Sequence, residues 1–474
     1  MVATPSKAPG AMTGQRYIES LRDGREVWLD GERVADVTTH PAFRGMVNSL
    51  ADVYDKQVGE YRDEMTYIDP ESKVRTSISW LVAKTPEDSA RKRRNSELWS
   101  MLTWGQLGRS PDILAPFVTN LRARADAFGA VKHPKCDFEE NVINYHRECL
   151  ENDWFLTHAL GDPQVDRSTQ PQNEQRQTPE DEQIALHVVE ETNEGLLVRG
   201  GKQLSTAAMH SNETYVSLSQ TFFARNDPRF ILAFSIPTAT PGLKVLCREP
   251  IGLWSGTWGH PFQDLDEQDC MLFFDDVIVP WNRVFMLYEP VNLQAVGAPS
   301  GETINFAGWP NLCRAHYRLR LMTAVATLVA EAIGVIELRE VAAKLGEMVT
   351  YTEMWKHAMD GIEKSPNAGR PGAMGIFMAQ TSRRMTELLI QICGSGIVMQ
   401  PSENDLANPE FRPFLQQFMR GKDVDVEYKS RLFRFAHDLA MSSFGMRQDI
   451  YEYWHGGDPN RNRINLLRNY QQDD

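Results

Sequence analysis

The sequence predicts a mainly helical protein with a β-domain in the middle of the chain, and three observations support this fold class. Helix-period apolar residues dominate residues 45–160. Short apolar runs broken by Pro and Gly follow, as in β-barrels and sandwiches. Long helical segments with almost no proline return in the last third, where such helices bury one another in a bundle. We therefore predict a helical domain over 1–154, a β-barrel over 155–290 and a helical bundle over 291–474.

Two turn signals place β-hairpins. In EVWLDGERV, Asp30-Gly31 lies between two apolar runs, which is a strong two-residue hairpin signal. In HVVEETNEGLLVRGGK, alternating strands flank a turn from Thr192 to Gly195. The small, polar residues 1–15 predict disorder, and Gln164–Gln183 predicts a polar loop.

One segment of the helical part predicts an anion-binding helix start. In GRSPDILAPFV, Ser110 is a hydroxyl N-cap, Pro111 suits the first helical position, and Asp112 suits the first turn. Arg109 then precedes a helix N-terminus, where backbone N–H groups attract anions. Upstream, the basic run Arg91–Arg94 indicates a solvated helix face, with a phosphate site as the alternative.

Charge and cysteine content exclude several classes of protein. The formal net charge of −14 argues against nucleic-acid and anionic-membrane partners, which need a basic surface. The N-terminus lacks the apolar region of a signal peptide. The apolar stretch Leu321–Leu338 contains two glutamates and predicts a buried helix, not a membrane span. Six scattered cysteines without a CxxC pair favour a reducing, cytoplasmic location.

Common catalytic motifs are missing. The sequence contains no GxGxxG after a strand, no GxxxxGK[ST], no GxSxG and no HExxH. A nicotinamide-binding Rossmann site is therefore not predicted. The 11 histidines do not pair at metal-ligand spacing, so no metal site is predicted either.

Twelve segments in order carry a resemblance to a known family. They are TGQRYIESL, VWLDGERV, THPAFRG, GRSPD, ENDWFLTHAL, DPQVDR, VRGGK, PTATPGLKVLCRE, FDDVIVPWNRVF, GSGIVMQPSENDL, FGMRQDIYE and GGDPNR. Over almost its whole length the chain resembles the large component of 4-hydroxyphenylacetate 3-hydroxylase and related chlorophenol and tyrosine-derivative hydroxylases.

The resemblance implies an acyl-CoA-dehydrogenase-like architecture, commonly assembled as a homotetramer. It implies a monooxygenase that receives FAD in reduced form, as FADH₂, from a separate NAD(P)H flavin reductase. It also implies that reaction with O₂ gives a flavin C4a-hydroperoxide, whose distal oxygen attacks a small, electron-rich, phenolic aromatic substrate. In such enzymes the protein orients the ring, excludes water and tunes protons around the cofactor.

The resemblance also assigns roles to single residues. Arg109 matches a substrate-contacting arginine, and His158 matches an active-site histidine able to exchange a proton with a phenol. Ile113 departs from the family, because relatives commonly carry a tyrosine at this position. The aliphatic residue makes the pocket more apolar and implies a different aromatic substrate or an altered reaction. Ser219 and Gln220 fall near the second substrate contact.

The resemblance assigns FAD contacts to three parts of the chain: residues 158–167, residue 206 and residues 458–461. The residues are His158, Gln164, Val165, Asp166, Arg167, Thr206, Asp458, Asn460 and Arg461. Arg167 and Arg461 suit the pyrophosphate, because guanidinium matches phosphate geometry. His260, in GHPF, is either a pocket-loop residue or a structural one.

Three alternatives remain open from the sequence. The first is 4-hydroxybutyryl-CoA dehydratase, which shares the scaffold but holds an iron–sulfur cluster on clustered cysteines. The second is a flavin-dependent N-hydroxylase, oxidase or dehydrogenase acting on a non-phenolic aromatic. The third is a non-catalytic flavin or ligand carrier. Iron content, the position of an added oxygen, and productive O₂ consumption would distinguish them.

Overall fold

A computed structural model describes residues 9–163, 165, 184–218, 227–251, 260–291, 307–365, 372–455 and 458–471. The first half of the described chain is rich in helices, as the apolar periodicity predicts. These helices are α1 Gly14–Ser20, α2 Arg44–Val58, α3 Arg62–Met65, α4 Pro86–Leu102, α5 Ala115–Ala123, α6 Ala125–Gly129 and α7 Phe138–Asn152.

Twelve strands lie within the described residues, most of them in the middle of the chain. They are β1 Glu26–Leu29, β2 Glu32–Val34, β3 Thr66–Ile68, β4 Arg75–Ser77, β5 Leu156–Ala159, β6 His187–Glu191, β7 Gly195–Thr206, β8 Glu213–Val216, β9 Leu232–Pro237, β10 Leu243–Cys247, β11 Asp269–Pro280 and β12 Val284–Leu287. They form a six-stranded sheet in the order β2-β1-β10-β11-β7-β6, a four-stranded sheet in the order β12-β9-β8-β5, and the β3-β4 pair. Neither larger sheet closes on itself within these residues, so the predicted β-barrel appears here as two open sheets.

Both predicted hairpins are confirmed. Asp30 and Gly31 adopt φ angles of 51° and 78°, the positive values that a two-residue turn with right-handed twist requires. The strands that this turn joins, β1 and β2, pair antiparallel. At the second hairpin, the Thr192 hydroxyl donates to the carbonyl of Gly195 over 2.8 Å, and β6 pairs antiparallel with β7.

The N-terminal hairpin is part of the six-stranded sheet. β1 pairs in parallel with β10, with Glu26 opposite Lys244 and Trp28 opposite Leu246. A strand from the N-terminal helical segment thus completes a sheet built mostly from residues 187–280.

The four-stranded sheet carries the residue expected to be catalytic. β5 pairs in parallel with β8, with His158 opposite Tyr215. All four residues of β8 are buried, which fits the continuous burial expected of a strand with both faces covered. The sheet therefore holds His158 on a rigid element.

Long helices return after residue 308, as the almost proline-free segments predict. They are α8 Trp309–Ala332, α9 Arg339–Lys364, α10 Gly372–Cys393, α11 Glu403–Ala407, α12 Arg412–Phe418, α13 Val426–Ala440, α14 Ser443–Trp454 and α15 Pro459–Gln471. Within the apolar core of this bundle, the buried Asp449 of α14 accepts hydrogen bonds from Ser382 and Thr386 of α10, at 2.7 and 2.9 Å. Asp449 also pairs with the fully buried Arg318 of α8. A carboxylate that accepts several hydrogen bonds and forms an ion pair fixes how these helices pack.

The predicted order of helices, β-domain and helical bundle is confirmed. The chain divides into two compact units, one of residues 1–96, 109–250 and 267–308, the other of residues 97–108, 251–266 and 309–474. The three-domain boundaries stay a prediction. Among the described residues, every helix is too short or too polar to span a bilayer.

Candidate active site

Arg109 lies in a turn, and the helix predicted to start at Ser110 begins later. Residues 110–114 form a hydrogen-bonded turn in which the Ile113 N–H donates to the carbonyl of Ser110 over 3.0 Å. The first regular helix is α5, Ala115–Ala123. The prediction of an N-cap at Ser110 was wrong because the Ser110 hydroxyl donates instead to the Asp112 carboxylate, at 2.6 Å.

The anion that the Arg109 backbone attracts is a side chain of the protein. The Arg109 N–H donates to Oε2 of Glu267 over 2.7 Å, and Glu267 is 1% exposed. A hydrogen bond to a buried carboxylate is stronger than one between neutral groups. Glu267 thus anchors the turn that presents the Arg109 side chain. Glu267 was missed because DLDEQD contains four acidic residues and no local pattern singles one out.

Behind the turn lies a buried group of charges. Burial raises the pKa of Asp112 to about 6, and burial lowers the pKa of Lys92 to about 7. The Lys92 ammonium donates to the carbonyl of Leu81 over 2.7 Å. The prediction that the basic run is a solvated face was wrong for Lys92, which is 3% exposed and packs beneath the turn.

The structure brings Arg109 and His158 together. Nε of Arg109 donates to Nε2 of His158 over 3.1 Å. A guanidinium N–H can only donate, so Nε2 of His158 is the acceptor and the ring proton resides on Nδ1. Burial, followed by the positive charge of Arg109, lowers the pKa of His158 to about 3. The imidazole is therefore neutral at physiological pH.

The other ring nitrogen of His158, Nδ1, is buried and has no hydrogen-bond acceptor among the described residues. A buried donor left without an acceptor costs about 1–3 kcal/mol. An acceptor atom of a bound ligand would remove this cost.

A chain of hydrogen bonds connects β5 with β7 and β11 of the six-stranded sheet. The Thr157 hydroxyl donates to the carbonyl of Thr206 over 2.6 Å. The Thr206 hydroxyl donates to Asp269 over 2.9 Å, and the Arg248 guanidinium donates to the same carboxylate over 3.1 Å. Thr206, an expected FAD contact, is thus held in place by these bonds, one of which comes from Thr157, the residue before His158.

Lys202 supports the segment that follows His158. This buried residue of β7 donates to the Leu160 carbonyl at 3.2 Å and to the Asp162 carboxylate at 2.9 Å. These bonds hold residues 160 and 162, which immediately precede residues 164–167 in the sequence, where FAD contacts are expected. Lys202 was missed because VRGGKQL also carries Arg199 and Gln203, so no local pattern marks this lysine as buried.

The remaining expected residues fall into three groups. Ile113 is 2% exposed in the turn after Arg109, whereas Val165 is exposed. In the second compact unit, the Asp458 carboxylate accepts from the Asn460 N–H at the start of α15, and Arg461 lies in that helix's first turn. The other expected contacts lie outside the described residues: Gln164, Asp166, Arg167, Ser219 and Gln220.

His260 has a structural contact. Its Nδ1 lies 2.8 Å from Oδ1 of the fully buried Asp438, and the other oxygen of Asp438 accepts from the Phe262 N–H. These bonds tie the loop to α13. In the described part of the chain, no three His, Cys, Asp or Glu side chains cluster as a metal site would require.

Comparison with known proteins decides the family. A family described as 4-hydroxyphenylacetate 3-hydroxylase N terminal matches residues 13–286, and its C-terminal counterpart matches residues 300–474. The chain belongs to the 4-hydroxyphenylacetate 3-hydroxylase family. The oxygenase component of 4-hydroxyphenylacetate 3-monooxygenase from Thermus thermophilus is 35% identical, over 98% of this chain and 95% of the relative. The family is one of flavin-dependent aromatic monooxygenases, as the sequence predicts.

Solved structures agree with the acyl-CoA-dehydrogenase-like fold. The crystal structure of a 4-hydroxyphenylacetate 3-monooxygenase oxygenase component complexed with FAD and 4-hydroxyphenylacetate matches with a TM-score of 0.88 at 34% identity. That match covers 97% of this chain and 95% of the other. An archaeal 4-hydroxybutyryl-CoA dehydratase from N. maritimus matches with a TM-score of 0.82 at 19% identity, covering 98% and 94%. At that identity the dehydratase shares the fold, and it says nothing about the reaction.

Proposed function

We propose that this chain is the oxygenase component of a two-component monooxygenase that hydroxylates a small, phenolic aromatic substrate. The observation that carries the proposal is the 3.1 Å bond from Arg109 to a neutral His158, which leaves a buried Nδ1–H to point at a ligand. Membership of the hydroxylase family supplies the reaction class.

The residues present fit FAD. Among the described residues no acceptor reaches the Nδ1–H of His158, and flavin and phenol both offer oxygen or nitrogen acceptors. Thr206 donates its hydroxyl proton to Asp269, so its oxygen lone pairs are available to accept. Arg461 and Arg167 supply guanidinium groups suited to the pyrophosphate. Gln164, Val165, Asp166, Asp458 and Asn460 complete the proposed set. Bound reduced FAD would supply the activation of O₂.

The chain's own groups hold the substrate and control its protons. We assign Arg109 to the phenolic oxygen, because a fixed cation stabilises negative charge on that atom. We assign the Nδ1–H of His158 to donate a hydrogen bond to a ligand oxygen. This role differs from the proton exchange expected from the sequence, because Arg109 uses the Nε2 lone pair and the pKa of about 3 disfavours protonation.

Ile113 sets the character of the pocket in this proposal. The residue is buried beside the Arg109 turn and has no hydroxyl to share with a substrate. Ser219 and Gln220 are the proposed second substrate contact. An apolar wall favours a neutral, apolar ring portion over one with further polar groups. A flavin-dependent N-hydroxylase or oxidase is the alternative activity, since Ile113 offers no hydroxyl that would select a phenol over another aromatic ring.

An apolar surface supports the proposed homotetramer. On α14, Met446, Ile450 and Trp454 are exposed at four-residue spacing, so they share one helix face. On α15, Ile464 and Leu467 are exposed as well. Contiguous exposed apolar side chains mark association surfaces. Light scattering of the purified protein tests the tetramer, and a monomer at micromolar concentration would refute it.

The absence of a nicotinamide-binding motif and the free cysteines support a partner and a location. We propose a separate NAD(P)H flavin reductase, because the sequence contains no nicotinamide-binding motif. We propose a cytoplasmic enzyme because all six cysteines are free thiols.

Oxygen labelling tests the function directly. The purified chain is given FAD, a flavin reductase, NADH, ¹⁸O₂ and a panel of phenols, anilines and carrier-bound aromatics. We expect a product that carries one labelled oxygen on a ring carbon. Labelled oxygen on nitrogen would favour the alternative activity. An unlabelled, oxidised aromatic formed together with peroxide would favour the oxidase, whereas peroxide formation without any oxidised product across the panel would refute both.

A further inference from the structure

Two of the six cysteines face each other across strands of the six-stranded sheet. Cys247 of β10 is the direct Cα partner of Cys270 of β11. The Cys270 thiol points at the Cys247 sulfur over 3.8 Å, and both side chains are buried. The two residues stand 23 positions apart in the chain, so the pairing is created by the sheet.

The sheet geometry suits a covalent bond between them. Directly opposed residues of antiparallel strands have Cα atoms about 4.5–5.5 Å apart. Disulfides span Cα separations of about 4.4–6.8 Å. The sulfurs lie 3.8 Å apart, and rotation of the two side chains brings them toward the bonding distance of about 2.05 Å. We propose that Cys247 and Cys270 are a redox modification site, at which hydrogen peroxide produces a reversible intrachain disulfide.

The proposed chemistry balances. One thiolate attacks peroxide, forming an S–O bond and breaking the O–O bond, and the departing hydroxide takes up a proton. The second sulfur then attacks the sulfenic acid, forming the S–S bond and releasing water. The sum is two thiols and one hydrogen peroxide giving one disulfide and two waters, with both sulfurs oxidised and the peroxide reduced.

The position of the pair gives the bond a structural effect. Each cysteine is next in sequence to a member of the ion pair between Arg248 and Asp269, here called the polar bridge: Arg248 follows Cys247, and Asp269 precedes Cys270. Asp269 in turn receives the Thr206 hydroxyl. A disulfide would lock covalently the same end of the sheet that this bridge holds by hydrogen bonds.

Burial sets the expected pH dependence. Burial raises the pKa of the Cys270 thiol well above its ordinary value. Because the thiolate is the reactive form, the crosslink forms slowly at neutral pH and faster as the pH rises.

Peptide mapping of the folded protein tests the proposal. The protein is treated with hydrogen peroxide at neutral and mildly alkaline pH, unfolded, alkylated, digested and analysed by mass spectrometry. We expect the two cysteine peptides joined and two hydrogens lighter than their sum, with dithiothreitol releasing them. Titratable thiols fall from six to four, since one bond consumes two. The Cys149→Ser control, at another buried cysteine, keeps the crosslink, and Cys247→Ser and Cys270→Ser abolish it.

Three results would overturn the proposal. The folded protein could retain all six thiols under conditions that oxidise free cysteine completely. Oxidation could stop at sulfinic acid on either residue with no linked peptide. The linked peptide could form only after denaturant has unfolded the protein. Wild-type mapping decides the matter even where a serine variant does not fold, and none of these results depends on turnover of an aromatic substrate.

Discussion

His158→Gln and His158→Asn separate the two ring nitrogens of the proposed active-site histidine. The amide of glutamine reaches the position of Nε2, which accepts from Arg109, whereas the amide of asparagine lies at the position of Nδ1. If Nδ1–H holds a ligand oxygen, asparagine replaces that donor and glutamine does not. We therefore expect the asparagine variant to be the more active of the two.

The structure sets the size of the difference. Removing a buried donor leaves its ligand acceptor unsatisfied, at about 1–3 kcal/mol. Since about 1.4 kcal/mol is tenfold, kcat/KM for the aromatic falls roughly 5- to 150-fold in His158→Gln. His158→Asn loses only the acceptor for Nε of Arg109, whose backbone remains bonded to Glu267. We expect that variant to stay within about tenfold of the native enzyme, the cost of one hydrogen bond.

The assay is product formation with reduced FAD held saturating by a flavin reductase. Because the pKa of His158 is about 3, its titration contributes no inflection to kcat/KM near neutral pH. The proposed role of the Nδ1–H is refuted if kcat/KM of His158→Gln equals or exceeds that of His158→Asn. It is refuted too if a native inflection near pH 6.5 disappears in both variants, which would show a histidine base.

Three further changes probe other polar groups of the protein. Glu267→Ala removes the acceptor of the Arg109 N–H, so the free energy of unfolding in urea falls by about 1–3 kcal/mol and kcat/KM falls too. Glu267→Gln keeps an acceptor oxygen and restores most of the stability and the activity. Equal losses in the two variants would contradict an anchoring role. Burial lowers the pKa of His146 to about 4, so the unfolded chain binds a proton below about pH 6.5 that the folded chain refuses. The free energy of unfolding then falls as the pH drops from about 6.5 to about 4, by up to about 1.4 kcal/mol per pH unit. His146→Gln flattens this slope, and an unchanged slope would contradict a neutral, buried His146. Lys202→Met removes the ammonium that pairs with the Asp162 carboxylate, and the free energy of unfolding falls by about 3 kcal/mol. The variant also binds reduced FAD more weakly in fluorescence titration. Tight binding by the variant would show that this segment does not position the cofactor.

Local patterns in the sequence predict local structure well. Asp30-Gly31 specifies its hairpin because few residue pairs accept two successive positive φ angles. The helices after residue 308 are predictable because their apolar periodicity runs for many turns with little interruption by proline. In both cases the information lies within a few residues of the element that it determines.

Long-range competition explains what the sequence did not predict. The Ser-Pro-Asp signal at residues 110–112 failed as a helix start because the Asp112 carboxylate takes the Ser110 hydroxyl. Arg109 and His158 were paired by family resemblance, since 49 positions of sequence separate them. Glu267, a further 109 positions on from His158, shows no local sign that it would bind the Arg109 backbone.

The parallel pairing of β1 with β10 has a consequence for how the protein is made. Glu26 leaves the ribosome roughly 220 residues before Lys244, its partner, and synthesis proceeds at roughly 5–20 residues per second. For about 10–45 s the nascent chain therefore leaves one edge of β1 uncovered, opposite the edge that pairs with β2. During that interval its free edge is open to other chains, which makes the first thirty-odd residues a natural point of contact for chaperones.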